Sequence, residues 1–137
     1  MSTFKLEMFT PQKQFFSGEV ESIVITGLDG ERGILAGHTP MIAAVAPGKI
    51  KIKTNGEWCE AYNSDGFIEV RPDEVLIFSH FCCWPEDIDE ERAKREYEEK
   101  TEQLRNAESL SEHRSAEIAL QRITAMLSVK QRKDFNI

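Results

Sequence analysis

Three cysteines and three histidines carry most of the nucleophile, proton-transfer and soft-metal chemistry available to this 137-residue sequence. Cys59, Cys82, Cys83, His38 and His80 would be the ligands of any zinc-like site. Such sites are assembled from pairs spaced so that one turn offers two ligands, and neither CxxC nor HxxxH occurs, so no metal is expected. An odd number of cysteines, two of them adjacent, is also poor material for a disulfide framework, and reduced thiols in a core are the expectation. No Gly-x-Ser-x-Gly elbow accompanies the histidines, which leaves a hydrolytic triad without its nucleophile. The run Gly27-Leu28-Asp29-Gly30-Glu31-Arg32-Gly33 lacks the Gly-Lys-Ser/Thr ending of a phosphate loop and has no helical pattern behind it. Its glycines read instead as a loop with demanding backbone angles. Glu31 and His38 flank this loop and read either as one exposed polar patch or as ordinary solvated residues. No catalytic constellation emerges.

Composition narrows the classes further. A formal net charge of -7 disfavours nucleic acid as a partner, because phosphate binding needs clustered Lys and Arg, which this sequence carries only at Lys130, Arg132 and Lys133. No apolar run approaches the roughly 18 residues of a spanning helix, and the N-terminus lacks a charged start with an apolar core, so a soluble cytoplasmic protein without membrane insertion is expected.

The front of the chain reads as short strands and frequent turns. Phe4, Leu6 and Met8 alternate with Lys5 and Glu7, the period of a half-buried strand, expected at a sheet edge. A turn at Ser17-Gly18 precedes a β-branched run from Val20 to Thr26. Gly37-His38-Thr39-Pro40 reads as a turn, Met41 to Ala46 as an apolar run, and Pro47-Gly48 as the centre of a type II turn. Lys49-Ile50-Lys51-Ile52-Lys53 alternates cleanly into Asn55-Gly56, the strongest hairpin signal present, with Trp58 to Asn63 returning beside it. Phe67 to Val70 and Val75 to Ser79 repeat the scheme around Arg71-Pro72-Asp73. Regular short strands predict two packed antiparallel sheets. Trp84-Pro85 closes this part, since the residue before proline is pushed to an extended conformation.

From Asp87 to Lys133 the period becomes helical. Asp89 can cap a first helix, Ile88 can staple onto Ala93, and Glu90 and Glu91 sit at the positive dipole end. Ala93, Tyr97, Leu104 and Ala107 form a narrow apolar stripe, while Glu90/Lys94, Glu91/Arg95 and Glu96/Lys100 are spaced to pair. Ser109-Leu110-Ser111-Glu112 matches a capping box opening a second helix. Its apolar set, Ala116, Ala119, Leu120, Ile123, Met126 and Leu127, is widened by Ile118, Ala125 and Val129, more than a single narrow partner would cover. The expected fold is therefore α+β by segregation. An N-terminal antiparallel β-sandwich (1–85) is followed by a C-terminal antiparallel two-helix hairpin (86–137) with a basic end. A stand-alone ligand-binding sandwich with a dimerising helical arm fits this pattern as well as a subunit with a switching arm does.

The stretch Gly30 to Ile42, then Pro47-Gly48-Lys49-Ile50-Lys51-Ile52, then Gly66-Phe67-Ile68-Glu69-Val70, resembles the epsilon subunit family of bacterial-type (F-type) rotary ATP synthases. The resemblance extends through Ile88-Asp89-Glu90-Glu91-Arg92-Ala93 and Arg114 to Arg122. It implies a non-catalytic rotor subunit at the cytoplasmic face of the cell membrane, peripheral to it, bound to the gamma subunit and the c-ring beneath the alpha and beta catalytic subunits. By the same resemblance, Glu31 and His38 face the c-ring, and His38, Met41, Ile42 and Ala43 face gamma. The hairpin would inhibit ATP hydrolysis when extended, with Lys130, Arg132 and Lys133 meeting an acidic loop of the beta subunit. No cofactor is implied beyond a regulatory ATP with magnesium, weak or absent, held by Ile88, Asp89, Arg92, Ala93 and Arg122. Met126 stands where ATP-binding members carry a further arginine. The segment Ser79 to Pro85, with Cys82, Cys83 and Trp84, departs from the family pattern.

Overall fold

The computed structural model describes residues 2–135, with side chains through Lys130. By internal contacts the chain divides into two compact units, Met1–Trp84 and Pro85–Ile137. The first holds β1 (Phe4–Phe9), β2 (Gln14–Val20), β3 (Ser22–Gly27), β4 (Gly30–Leu35), β5 (Met41–Val45), β6 (Gly48–Thr54), β7 (Glu57–Asn63), β8 (Gly66–Val70), β9 (Glu74–Ser79) and β10 (Cys82–Cys83). Two five-stranded sheets result, ordered β2-β1-β9-β8-β5 and β10-β7-β6-β3-β4. Alternation decides which side of each strand is buried. In β6, Ile50 and Ile52 are buried while Lys49, Lys51 and Lys53 remain partly exposed. Leu6, Met8, Ile23, Ile34, Ile68 and Ile77 join these isoleucines in the core between the sheets. Each such side chain contributes about 1.5–3 kcal/mol on leaving water.

Several local expectations are corrected by the pairing. β1 is not an edge strand: it lies between β2 and β9, antiparallel to the former and parallel to the latter. That parallel ladder interrupts sheets whose other pairings are antiparallel. Ser17 and Gly18 form no turn but continue β2, with Gly18 opposite Leu6. The glycine-rich run is mostly strand as well. Gly27 pairs with Gly30, leaving Leu28 and Asp29 as the whole hairpin turn. Only Gly30, at φ +123°, uses the freedom a glycine brings there. Gly48 makes no type II turn but opens β6, where a Cβ would come within 2.8 Å of Thr26 Oγ1. The Asn55-Gly56 turn is as expected, with both residues at positive φ.

The second unit begins with a 3₁₀ turn (Pro85–Asp87), followed by α1 (Glu90–Arg105) and α2 (Leu110–Phe135). Asp89 caps α1, its carboxylate accepting from the Arg92 amide at 3.1 Å, and Ile88 and Ala93 are both buried. Ser109 caps α2 through the Glu112 amide at 3.1 Å. The Glu112 carboxylate reaches back one residue further than a capping box requires, accepting from the Glu108 amide. Glu90 pairs with Lys94, as the spacing predicts. Glu96 pairs instead with Arg92, and Lys100 donates to Gln103. α2 packs on both α1 and the 3₁₀ turn. Val129, expected at the margin of the apolar face, is fully buried with Ala116 and Ile123, while Leu110 and Ile118 stay exposed.

Candidate docking surfaces and regulatory arm

The β3–β4 hairpin holds Glu31 exposed near its turn. Beyond the other end of β4, Gly37 at φ +81° reverses the chain. His38 follows, half-buried, its amide donating to the Leu35 carbonyl and its Nδ1 lying 2.8 Å from the Thr39 carbonyl oxygen. Four strand residues, about 13 Å, separate Glu31 from Leu35. Glu31 and His38 therefore stand at opposite ends of β4. Arg32, between them, donates to Met41 Sδ at 3.3 Å and ties β4 to β5, the outer strands of the two sheets.

β5 sorts its residues by alternation. Met41 and Ala43 pack against the core, whereas Ile42 is 72% exposed. Of the three, Ile42 alone stands open to solvent, with the other two behind it. The same outward side carries a feature that sequence reasoning missed. Cross-strand register aligns Ala44, Phe67, Phe78 and Phe9 in one row over β5, β8, β9 and β1. The rings stack in sequence, Phe67 to Phe78 at 5.0 Å and Phe78 to Phe9 at 5.4 Å. A groove of about 380 Å³ opens along this row, reaching Pro11 and His80. The signal was present in the strand phase, because each phenylalanine adjoins an inward-facing residue, Met8, Ile68 or Ile77, and so must point outward.

The segment from Ser79 to Pro85 is firmly held on its upstream side. Backbone and side-chain hydrogen bonds of 2.8 Å join Ser64 and Phe81 in both directions. Cys82 and Cys83 pair with Asn63 and Tyr62 of β7, and both thiols are buried. Burial pushes the Cys82 thiol up from 9.0 to about 11, an effect that the neighbouring Ser79 side chain offsets only in part. Cys59 is exposed. Trp84 stacks on Phe15 at 4.6 Å and meets Phe16 edge-on at 6.4 Å.

In the helical unit, antiparallel packing across the Asn106–Ser109 connection puts the start of α1 level with the second half of α2, since both helices rise equally per residue. Arg92 and Arg122 therefore lie at the same end. Their surroundings are not those of an open anion site: Arg92 Nε is engaged by the Glu96 carboxylate at 3.1 Å, and the Asp89 carboxylate by the cap. Arg122 is exposed and Met126 half-buried. Nearer the connection, a depression of about 600 Å³ is lined by Glu99, Glu102 and Glu112, a setting that repels phosphate. Lys130 is half-buried. The side chains of Arg132 and Lys133 lie outside the described residues. Among the described residues no group of three His, Cys, Asp or Glu is placed to hold a metal ion, and no helix is long and apolar enough to cross a membrane.

Comparison with known proteins agrees with this two-part architecture. The family model for the ATP synthase Delta/Epsilon chain beta-sandwich domain matches residues 3–85. The ATP synthase epsilon chain of Caldanaerobacter subterraneus subsp. tengcongensis is 43% identical over 93% of both chains. That of Ruminiclostridium cellulolyticum is 40% identical over 97% of this chain and 99% of its own. Among solved structures, a chain of the Euglena gracilis mitochondrial ATP synthase, seen with OSCP, F1 and c-ring, shares the fold at TM-score 0.84 and 24% identity, over 93% of this chain and 81% of that one. Since sandwich and helices are both covered by these likenesses, the chain belongs to the ATP synthase delta/epsilon family.

Proposed function

We propose that this chain is a non-catalytic rotor subunit of an F-type ATP synthase, its sandwich docking to the gamma subunit and the c-ring at the cytoplasmic face of the membrane. Its helical hairpin restrains ATP hydrolysis. The observation that carries the proposal is the near full-length likeness to epsilon chains, extending beyond the sandwich into both helices. A mitochondrial ATP synthase chain from Tetrahymena thermophila with the same fold, at TM-score 0.62, was seen in a central stalk and c-ring assembly. Ile42 is the outward residue of the proposed gamma-facing strand. Glu31 and His38, being far apart, would meet the c-ring as two separate contacts. Lys130 and the residues after it supply the basic end for an acidic partner loop.

The test is ATP hydrolysis by a reconstituted complex carrying either the full chain or a chain ending at residue 85. Deletion of the hairpin is expected to raise hydrolysis while the sandwich stays bound; an unchanged rate refutes the regulatory role. Regulatory ATP is weak in this reading, because Arg92 is already engaged and Met126 cannot replace a bidentate arginine contact. Even at a hundredfold excess over its Kd, bound ATP would bias the arm by about 2.7 kcal/mol. Calorimetry with ATP and magnesium decides this, and a strong exothermic titration that survives Arg92→Ala would overturn the assignment of the site.

A further inference from the structure

We infer that the free chain pairs with a second copy of itself by strand addition at the outer edge of β5, about a two-fold axis through Ala43. The same strand faces gamma in the proposed assembly, so the pairing belongs to the chain before assembly and goes beyond that reading. The sheets end in β2, β5, β10 and β4, and natural edges are blunted by brevity, charge or irregular pairing. β10 is two residues long, β4 carries exposed Glu31 and Arg32, and β2 meets a register shift between Met8 and Phe9. β5 has none of these. Met41-Ile42-Ala43-Ala44-Val45 is uncharged, keeps unbroken register with β8, and is bordered by a depression of about 160 Å³ beside Ala43 and Ala44.

Backbone phase decides which groups this edge offers. The Arg71 amide donates to the Glu74 carbonyl across the β8–β9 turn, so the odd residues of β8 bond to β9 and the even ones, Gly66, Ile68 and Val70, bond to β5. Their partners are Val45, Ala43 and Met41. Ile42 and Ala44 therefore turn N–H and C=O away from β8, the direction in which the Ala46 amide donates to the Thr26 carbonyl at 2.9 Å. Among the described residues no strand pairs with them there. A second β5, run antiparallel with Ile42 opposite Ala44 in both directions, satisfies every one of these groups. Other registers do worse. A shift toward Pro40 meets a residue without an N–H, and a shift the other way calls on the Ala46 amide, already committed to Thr26. The side chains agree with this register. Bulky Ile42, 72% exposed, falls beside the small Ala44 of the other copy and extends the outward row of Ala44, Phe67, Phe78 and Phe9 by one apolar residue. Arg32, which reaches Met41 at one end of the strand, has its charge met by Asp29 at 3.8 Å.

The experiment is sedimentation velocity of the full chain under reducing conditions, from micromolar to millimolar concentration, with amide exchange followed over the same range. The mass is expected to climb from monomer toward dimer, and the amides of Ile42 and Ala44 to slow as it does, while those of Met41 and Ala43, already bonded to β8, stay as they were. Ala44→Pro removes an outward N–H without touching the β8 ladder, a place where an edge strand tolerates proline, and should abolish the dimer. Ile42→Lys, which needs no change of backbone, should do the same. Leu110→Ser, at an equally exposed apolar residue of the helical unit, should leave the dimer intact. A chain that stays monomeric throughout leaves the edge to a strand of some other protein and overturns the inference. So does a dimer that survives both β5 variants, one that Leu110→Ser abolishes, or one in which the Ile42 and Ala44 amides exchange as fast as in the monomer. Failure of the regulatory reading shows separately, as hydrolysis indifferent to hairpin deletion, and leaves these results unaffected.

Discussion

Replacing Asp89 with alanine tests how the arm's first helix is started. The native carboxylate accepts the Arg92 amide at 3.1 Å from an extended backbone, φ -84° and ψ 102°, which alanine can also adopt. What is lost is one capping hydrogen bond and one negative charge at the positive end of α1. Caps of this kind contribute about 1 kcal/mol, and a charge near the dipole about 0.3–1 kcal/mol. The residue is exposed, which keeps the charge contribution at its low end, so the sum is about 1–1.5 kcal/mol. That corresponds to roughly a five- to thirteenfold rise in local opening. Amide hydrogen exchange of the full chain reads it directly. Ala93, whose amide donates to the Asp89 carbonyl at 3.0 Å, and Lys94 should exchange faster by that factor. Amides of β1 and β9, in the other unit, should not change. Asp89→Asn retains an acceptor oxygen and should recover most of the protection. Unchanged exchange at Ala93 and Lys94 in Asp89→Ala, or an equal acceleration in β1, would refute the capping argument.

Three further outcomes follow from buried groups. Because Cys82 holds its proton up to about pH 11, a thiol reagent at pH 8 should label Cys59 rapidly and Cys82 only on unfolding. Unfolding stability should also fall as pH climbs from 9 toward 11, where the unfolded chain releases a proton that the folded chain keeps; rapid labelling of Cys82 in the folded chain contradicts this. Gly66→Ala should lower the unfolding free energy from denaturant titration by about 1–3 kcal/mol, since the new Cβ would overlap the Phe78 carbonyl oxygen, a backbone atom that cannot swing away. A neutral variant would mean that the β8–β9 ladder yields more easily than its register suggests. Ile123→Ala, at a buried position of α2, should cost about 2–5 kcal/mol, seen as loss of helical circular dichroism at lower temperature with the sandwich signal retained.

Much of this was legible from residue types, and the failures share a physical cause. Strand alternation, the Asn55-Gly56 turn and the Asp89 and Ser109 caps are encoded within a few neighbouring residues, so local chemistry suffices to find them. The place of β1 in its sheet depends on β9, some seventy residues away, and no local pattern distinguishes an edge from an interior strand. Gly18 and Gly48 looked like turn residues because glycine signals turns on average. Here Gly48 gives room to the Thr26 side chain of another strand, a tertiary reason that the adjacent sequence does not contain. The separation of Glu31 from His38 likewise follows only once Arg32 to Leu35 are known to be strand rather than loop. The Phe9, Phe67 and Phe78 row needed the register between three strands, though each ring's outward phase was already visible.

The parallel ladder between β1 and β9 bears on synthesis as much as on shape. β1 finds its β9 neighbour only after the seventy or so residues up to Ser79 have followed, so that sheet cannot close before then. Until then β1 has only its hairpin companion β2 to shield a stripe of phenylalanine, leucine and methionine. Late long-range pairing of this kind slows folding and leaves an apolar strand open to unwanted association.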